Sequence, residues 1–396
     1  MTTSELSSCL YNMNTESSPR LLSLDIFRGA TVALMILVNN AGDSKHKYPQ
    51  LNHSKWHGFT LTDLVFPCFL FMVGVSVVFA LDKKKAILTD HKKIIADAFR
   101  RMTLLILISW AILLFLKHDI PADIESYQAK ISYLAAHLRI PGVLQRIAVV
   151  FFIVSLLYLK TDQRFRSYLL IIILLGYYII LCFIPAPGLT YPSLEPETNW
   201  GAWLDQLILG TGHLYKVTWD PEGLLSTLPS IATCLLGVQA GSWLKRKDID
   251  TGAKVSWMFV YGITAIVLGL FWDIFFPINK KLWTSSFVLY TGGMAIAALA
   301  LIYWLVDIQG RKRFTWPFVV FGRNALAAYI LSDIIRAVFN MVPVGGMGGM
   351  EFIQTRLIST LFSSPYNASL AGSLLFVLLC WLPMYWLYLK KIIIKV

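Results

Sequence analysis

Two things are scarce in this sequence: charged residues and cysteine. Only 15% of the 396 residues are charged, whereas soluble domains carry about 25%. The five cysteines, Cys9, Cys68, Cys182, Cys234 and Cys380, are scattered and show neither C-x-x-C nor metal-ligand spacing. We therefore expect neither a disulfide framework nor a bound metal.

Long apolar runs dominate the sequence. Hydrophobic residues make up 56% of the chain, and stretches long enough to cross a bilayer recur from end to end. The sequence therefore predicts an all-α polytopic membrane protein with about ten transmembrane helices. The predicted segments are 24–41, 60–81, 100–116, 141–159, 167–185, 223–244, 255–276, 283–305, 315–338 and 369–390.

The formal charge of +12 is unevenly distributed along the chain. A large set of basic residues falls on one side of a ten-helix arrangement, and the positive-inside rule makes that side, with both termini, cytoplasmic. Because membrane orientation accounts for these residues, we predict the lipid bilayer and not nucleic acid as a partner. They are Lys83, Lys84, Lys85, Lys92, Lys93, Arg100, Arg101, Lys160, Arg164, Arg166, Lys245, Arg246, Lys247, Lys254, Arg311, Lys312, Arg313, Lys390, Lys391 and Lys395.

The amino-terminal residues differ in composition from the rest of the chain. Residues 1–19 are polar, rich in Ser, Thr and Asn, and lack the apolar core of a signal peptide. No tandem repeat divides the remainder. We expect a polar tail over 1–19 and a single transmembrane domain over 20–396.

A polar cluster joins the first two apolar segments on the opposite, outer face. His53 lies in the loop, Asp63 follows ten residues later inside the second segment, and Asn39 ends the first. A carboxylate that enters the membrane needs a partner, and an imidazole oriented by it is suited to act as a base or nucleophile. Asn39 is placed to donate to a developing oxyanion. The alternative is that Asn39 and Asp63 only join the two helices by hydrogen bonds.

Charged residues also lie at or near the cytoplasmic ends of two segments. Asp25 and Arg28, three apart in S-L-D-I-F-R-G, can pair on one helix face. The pair either fixes the depth of the helix or presents Arg28 to a phosphate. Arg323 and Asn324 fall within the ninth segment, where an uncompensated charge is costly, which favours a place on a substrate pathway.

Other polar residues near the outer face are candidates for substrate binding. Gln145 and Arg146 form an unusual pair just inside an apolar run, where Arg146 either contacts a ligand or reaches the membrane interface. Carboxylates near the same face are suited to hold an ammonium group, although Asp220 can instead cap the sixth helix. The candidate set is Trp56, His57, Gln145, Arg146, Asp220, Glu222 and Asp273.

Six motifs stand in a fixed order along the chain. They are S-L-D-I-F-R-G, N-H-S-K-W-H-G-F-T-L-T-D-L-V-F-P, L-R-I-P-G-V-L-Q-R, D-P-E-G, L-G-V-Q-A-G and P-I-N-K-K-L-W-T-S-S-F. Over residues 20–396 this pattern resembles the heparan-α-glucosaminide N-acetyltransferase family of membrane acyltransferases and its bacterial relatives. Several motifs in matching order are more specific than any one of them.

The resemblance implies that an acetyl group passes from cytoplasmic acetyl-CoA across the bilayer to the amine of a terminal glucosamine. The family's catalytic His falls on His53, and its supporting Asn and Asp fall on Asn39 and Asp63. These are the residues that the polar cluster brings together. The residues leave open whether His53 acts as a base in direct transfer or carries the acetyl group itself.

We expect acetyl-CoA to enter from the cytoplasm, where basic groups such as Arg28 and Arg323 meet its charged portion. The residues assigned to its binding are Arg28, Asp25, Arg323 and Asn324. The resemblance also allows a membrane-embedded homodimer.

The chain departs from the family pattern in two respects. It lacks the extra amino-terminal lumenal region, which suggests a bacterial inner membrane and not a lysosome. His57 follows Trp56 where Asn is expected, and this adds a rival base.

Two other functions fit parts of the pattern. A transporter for an amino sugar or related solute would also need ionisable residues within the membrane. An enzyme that acylates another polysaccharide amine or hydroxyl would use the same chemistry on a different acceptor. Consumption of the CoA thioester separates the transporter from both enzymes.

Overall fold

The computed structural model describes residues 21–87, 91–114, 124 and 126–394. The predicted tail over 1–19 lies outside the described residues. The helices are α1 (Leu22–Asn39), α2 (Leu61–Ile87), α3 (Lys92–Ile112), α4 (Tyr127–His137), α5 (Val143–Lys160), α6 (Gln163–Phe183), α7 (Trp200–Leu209), α8 (Thr227–Lys245), α9 (Thr251–Asp273), α10 (Ser285–Tyr303), α11 (Trp316–Arg323), α12 (Ala325–Met341), α13 (Gly349–Phe352) and α14 (Pro365–Leu389). The strands are β1 (Pro343–Val344) and β2 (Met347–Gly348).

Within these ranges, seven helices are long and apolar enough to cross a membrane, or up to eight if a bent pair counts as one span. The seven are α1, α2 as far as Asp82, α5, α6, α9, α10 with its extension to Ile308, and α14. This shows a helical, multi-pass membrane protein, as the sequence predicts.

Each of the ten predicted segments overlaps a helix, but α3 and α8 are not among the seven. α3 has five charged residues in its first ten positions, from Lys92 to Arg101. α8 is rich in Ser, Thr and Gly and contains Gln239. The count of ten spans and the cytoplasmic position of both termini stay predictions.

The ninth predicted span is broken into α11 and α12, which meet at an angle of 86°. The break falls at Asn324, whose backbone leaves the helical conformation (φ −129°, ψ 41°). Its side-chain amide donates to the carbonyl of Ile392 at 3.0 Å and accepts from the N–H of Ile394 at 2.8 Å. The carboxyl-terminal segment therefore satisfies polar groups at the break.

Side-chain caps mark the starts of several helices. Asp162, Asn199 and Asp250 each accept a hydrogen bond from a backbone N–H in the first turn of α6, α7 and α9. The predicted cap at Asp220 is wrong, because α8 begins only at Thr227. Asp220 belongs to the preceding loop and makes other bonds, described below.

Glycine allows two helix pairs to pack in close contact. A Cβ atom on Gly237 of α8 would collide with the backbone carbonyl of Phe71 on α2, and one on Gly74 would collide with that of Cys234. A Cβ on Gly322 of α11 would collide with the backbone of Asp25 on α1. These contacts fix α8 against α2 and α11 against α1, the helices on which the polar residues lie.

Several loops between the long helices contain structure that periodicity did not indicate. The short helices α4 and α7 lie in loops predicted without helices. β1 and β2 form an antiparallel hairpin in which Pro343 pairs with Gly348. The two-residue turn is Gly345-Gly346, with φ of 60° and 79°, as this tight hairpin turn requires.

The close contact at Gly237 predicts a large effect of one methyl group. Gly237→Ala should lower the midpoint of thermal unfolding in detergent, because relieving the clash with Phe71 costs about 1–3 kcal/mol. Gly176→Ala is the matched control, since its Cβ would meet nothing within 4 Å. It should leave the midpoint unchanged or raise it slightly. Equal midpoints for the two variants would show that the helices separate without cost.

Candidate active site

The side chains of His53 and Asp63 form a hydrogen-bonded pair at the amino-terminal end of α2. His53 Nδ1 lies 2.7 Å from Asp63 Oδ1. The other carboxylate oxygen accepts from the N–H of Ser54 at 3.1 Å, the N–H of Thr60 at 3.1 Å and the hydroxyl of Thr60 at 2.9 Å. The Asp63 side chain is 1% exposed, whereas that of His53 is 45% exposed. Because the carboxylate accepts at Nδ1, Nε2 is the nitrogen left to act as a base.

The structure does not bring Asn39 into contact with this pair. Asn39 is exposed at the end of α1, and in the described part of the chain no hydrogen bond joins it to His53 or Asp63. The next residue, Asn40, is buried; it donates to the carbonyl of Ile36 at 2.9 Å and accepts from Arg336 at 3.4 Å. The oxyanion role of Asn39 stays a prediction.

A lysine that the sequence analysis did not single out completes the cluster. Lys280 Nζ lies 3.2 Å from Nδ1 and 3.3 Å from Nε2 of His53, and 4.0 Å from Asp63 Oδ1. Its side chain is 14% exposed. Burial lowers the pKa of the Lys280 ammonium, while the charges of Glu222 and Asp63 act in the opposite direction.

The loop between α9 and α10 holds Lys280 in place. The side-chain oxygen of Asn279 accepts from the N–H groups of Lys281 and Leu282 at 2.8 and 2.9 Å. Trp283 has a φ of 55°, unusual for a residue other than glycine, and its indole N–H donates to Thr233 at 3.0 Å. The available sequence signal was the pair of adjacent lysines at 280–281 in the P-I-N-K-K-L-W-T motif.

Trp56 and His57, predicted to bind the substrate, lie in the same loop as His53 and contact residues of other loops. The Trp56 indole donates to the carbonyl of Leu194 at 2.9 Å and meets Trp219 edge-on at 5.1 Å. His57 Nδ1 lies 3.4 Å from the side-chain nitrogen of Asn279. Among the described residues no carboxylate contacts His57, which distinguishes it from His53.

Gln145 and Arg146 are buried at the start of α5 and keep unused donors. Arg146, 3% exposed, donates to the carbonyl of Gly223 at 2.9 Å and to the hydroxyl of Ser226, and lies over the Trp283 ring at 5.3 Å. Neither its Nε nor its Nη1 has a hydrogen-bond partner in the ranges described, and the same is true of Gln145 Nε2. Buried donors without partners are costly, so these groups suit a ligand oxygen.

The predicted carboxylates are held by the protein itself. Arg139 donates to both oxygens of Asp220 at 2.6 and 2.8 Å, and to Glu222 at 2.6 Å. Asp220 also accepts from the N–H groups of Tyr215 and Glu222. Asp273 accepts from the N–H of Ile278 at 2.5 Å and so closes the turn after α9.

A cavity of about 390 Å³ opens along the carboxyl-terminal part of α2, within the size range of small-molecule sites. Three of the four residues assigned to acetyl-CoA line it, namely Arg28, Arg323 and Asn324. Lys84 and Arg101 add further positive charge, and Asp97 is the carboxylate in its wall. The fourth assigned residue, Asp25, lies behind the wall and accepts from Arg28 at 3.4 Å.

The cavity leads towards the His53 pair. Its α2 wall extends from Lys84 to Phe69, which is about 22 Å along a helix. Phe69 in turn is six residues from Asp63, or about 9 Å. On the facing helix the wall includes Ile147, the neighbour of Arg146. The two sites therefore lie along one helix, with a basic end and an imidazole end.

Most of the chain is similar to a known protein family. Residues 20–271 match the family model described as heparan-alpha-glucosaminide N-acetyltransferase, catalytic. The chain belongs to this family. The resemblance seen in the motifs is therefore confirmed.

Two members of the heparan-alpha-glucosaminide N-acetyltransferase family show how far the similarity extends. The protein of that name from Homo sapiens is 31% identical over 373 residues, covering 81% of this chain and 54% of the human protein. The one from Mus musculus is 30% identical over 374 residues, covering 82% and 55%. The chain thus spans about half the length of the curated relatives it matches.

The buried carboxyl of Asp205 in α7 predicts a pH effect on stability. Burial raises its pKa from 3.8 to about 6 in the folded protein. Its stabilising contribution is therefore present below pH 3.8 and lost as the pH rises through about 6, a difference of roughly 3 kcal/mol at most. In the wild type, the N–H of Leu224 donates to an Asp205 oxygen at 2.8 Å. Asp205→Asn keeps an oxygen that can accept this hydrogen bond but has no group that ionises. The variant should have a higher midpoint of thermal unfolding than the wild type at pH 7.5 but not at pH 4. An equal difference at the two pH values would contradict this assignment.

Proposed function

We propose that this protein transfers an acetyl group from cytoplasmic acetyl-CoA to the amine of a glucosamine-type sugar on the outer face of the membrane. In a bacterial inner membrane that face is periplasmic. The observation that carries the proposal is the basic cavity along α2, which leads towards the pair of His53 and Asp63. The relatives are named as N-acetyltransferases, which supports the same reaction class.

The cavity suits the chemistry of the donor. Arg28, Arg101 and Arg323 line it with Lys84, and guanidinium groups match phosphate oxygens well. Arg323 Nε has no partner among the described residues and is free to meet an anion. Towards α5 the walls become apolar, with Phe69 and Ile147, as the uncharged arm that carries the thioester requires. The donor thus enters with its phosphates at the cytoplasmic end.

The outer pair supplies the proton chemistry. Asp63 holds the His53 ring through Nδ1. The amine nitrogen of the sugar attacks the thioester carbonyl carbon, and His53 Nε2 takes a proton from that nitrogen. Collapse of the tetrahedral intermediate forms the amide and breaks the carbon–sulfur bond. The leaving thiolate receives the proton from Nε2. Because a neutral amine is a strong nucleophile towards a thioester, this direct route needs no acetyl-histidine.

The acceptor is bounded by residues on the outer side. Trp56 offers a ring against which a sugar can pack, with His57 beside it. The unused donors of Gln145 and Arg146 suit hydroxyl or carbonyl oxygens. Glu222 is the predicted carboxylate whose charge favours the ammonium form of Lys280.

Removal of the imidazole tests the reaction directly. His53→Ala should lower glucosamine-dependent thiol release from acetyl-CoA by roughly 100- to 10,000-fold, the usual contribution of a general base. Free thiol is measured on purified protein in detergent. His46→Ala is the matched control, because His46 forms a similar pair with Asp43 at 2.6 Å elsewhere in the same loop. It should release thiol at nearly the wild-type rate.

Two other results would change the assignment. Release that survives in His53→Ala but vanishes in His57→Ala would move the base to His57. Absence of release with any amino sugar, together with uptake of unmodified solute into vesicles, would replace the enzyme with the transporter.

The donor cavity is tested by Arg323→Met. Loss of one charged hydrogen bond should raise the Kd for acetyl-CoA by roughly tenfold or more. The kcat at saturating donor should change little, because Arg323 lies at the far end from His53. Arg313→Met serves as control, since Arg313 is an exposed cytoplasmic arginine outside the cavity. An unchanged Kd in Arg323→Met would place the phosphates elsewhere.

A further inference from the structure

The position of Lys280 has a consequence beyond the pairing of His53 with Asp63. Its Nζ is almost equally distant from the two ring nitrogens of His53, at 3.2 and 3.3 Å. It is therefore not aligned with a single lone pair. A lysine ammonium carries three N–H donors, so donors remain for an atom bound close to the ring.

The reacting carbonyl must come close to this ammonium. A base that takes the proton of the attacking amine lies within hydrogen-bond reach of the amine nitrogen, which is bonding to the carbonyl carbon. The carbonyl oxygen is one bond further. Since Lys280 Nζ is 3.3 Å from His53 Nε2, an oxygen in this position lies within reach of its N–H groups.

We propose that the ammonium of Lys280 stabilises the oxyanion of the tetrahedral intermediate in the acetyl transfer. The inference rests on the proposed function. It assigns a catalytic role to a residue of the P-I-N-K-K-L-W-T motif that the sequence analysis left without one. It also differs from the expectation that Asn39 supplies the oxyanion donor, because Asn39 is exposed and makes no hydrogen bond to the pair within the described residues.

The charge balance of the step is complete without proton transfer to or from Lys280. The amine lone pair forms the carbon–nitrogen bond, and the carbonyl π electrons move onto oxygen, opposite the ammonium. His53 takes the amine proton. When the oxygen electrons return, the carbon–sulfur bond breaks and the thiolate takes that proton, so the ammonium is unchanged at the end.

The surroundings of Lys280 favour a fixed donor over a mobile side chain. The side chain of Asn279 accepts from the N–H groups of the two residues that follow Lys280, and Trp283 anchors the loop to α8. Preorganised donors cost no reorganisation when charge develops. Lys281, in contrast, lies over Trp56 at 5.6 Å and donates to the carbonyl of Lys55, so the two lysines have separate functions.

Substitution of Lys280 provides the test. Lys280→Met should lower kcat by roughly 100- to 1,000-fold, as expected for loss of one oxyanion donor, while the Kd for acetyl-CoA changes less than about threefold because the phosphates lie elsewhere. Lys280→Arg keeps a cation and should recover at least tenfold of the lost rate. Lys216→Met, on an exposed lysine of another outer loop, controls for loss of outer charge and should retain nearly full kcat.

The pH profile distinguishes a charged donor from a structural residue. Five groups act on Lys280: His53 at hydrogen-bond distance, and the charges of Glu222, Asp63, Lys281 and Arg146. Because burial lowers the pKa of Lys280, the wild-type kcat should fall at alkaline pH, below the ordinary range of lysine. This alkaline fall should be absent in Lys280→Arg, whose guanidinium stays charged.

The outcomes separate this inference from the function on which it rests. An active wild type with kcat in Lys280→Met above one third of normal would overturn the role of Lys280 and leave the acetyltransferase intact. A Lys280→Arg variant whose kcat falls at alkaline pH as in the wild type would also overturn the role of Lys280. A wild type that releases no thiol would overturn both. Should Lys280→Met fail to bind acetyl-CoA, the pH profile of Lys280→Arg decides alone.

Discussion

The carboxylate of Asp63 lies almost fully buried at the amino-terminal end of α2, where an unpaired charge would be costly. Its oxygens accept from Ser54, Thr60 and His53, so the outer loop must fold back onto the helix. The same charge attracts Lys280 from the loop between α9 and α10. Satisfying one carboxylate thus brings together two loops more than 200 residues apart, and orients the imidazole before any substrate arrives.

Helix α2 sets the distance between this cluster and the cavity. An α-helix does not shorten or stretch, so the separation between Asp63 and the cavity wall at Phe69 is set by their six-residue spacing. The close packing of Gly74 and Gly237 holds α8 against the same helix. A donor bound by its charged end at Arg28 therefore reaches a fixed depth. The distance between the two sites depends on the fold and not on a mobile loop.

The sequence could predict what depends on neighbours in the chain. Helical segments follow from apolar runs, and the pairs Asp25–Arg28 and His53–Asp63 follow from spacings of three and ten residues. Lys280 could not be found in this way, because its contact with His53 joins positions 227 apart. The side-chain direction of Asn39 depends on how α1 is rotated about its own axis. Consecutive residues of a helix point about 100° apart, so Asn40 is buried and Asn39 is exposed. The 86° bend at Asn324 depends on bonds to the carboxyl-terminal segment, which apolar periodicity does not reveal.

The balance of charge at the outer site bears on which form of the acceptor it receives. A free carboxylate beside His53 would favour the ammonium form of an amino sugar, which has no lone pair for attack. In this structure Asp220 is occupied by Arg139 and backbone N–H groups, and Asp63 by His53. Lys280 adds a positive charge that opposes a second cation nearby. In the proposed reaction the site therefore favours a neutral amine, the form that attacks a thioester, and leaves the imidazole as the group that takes its proton.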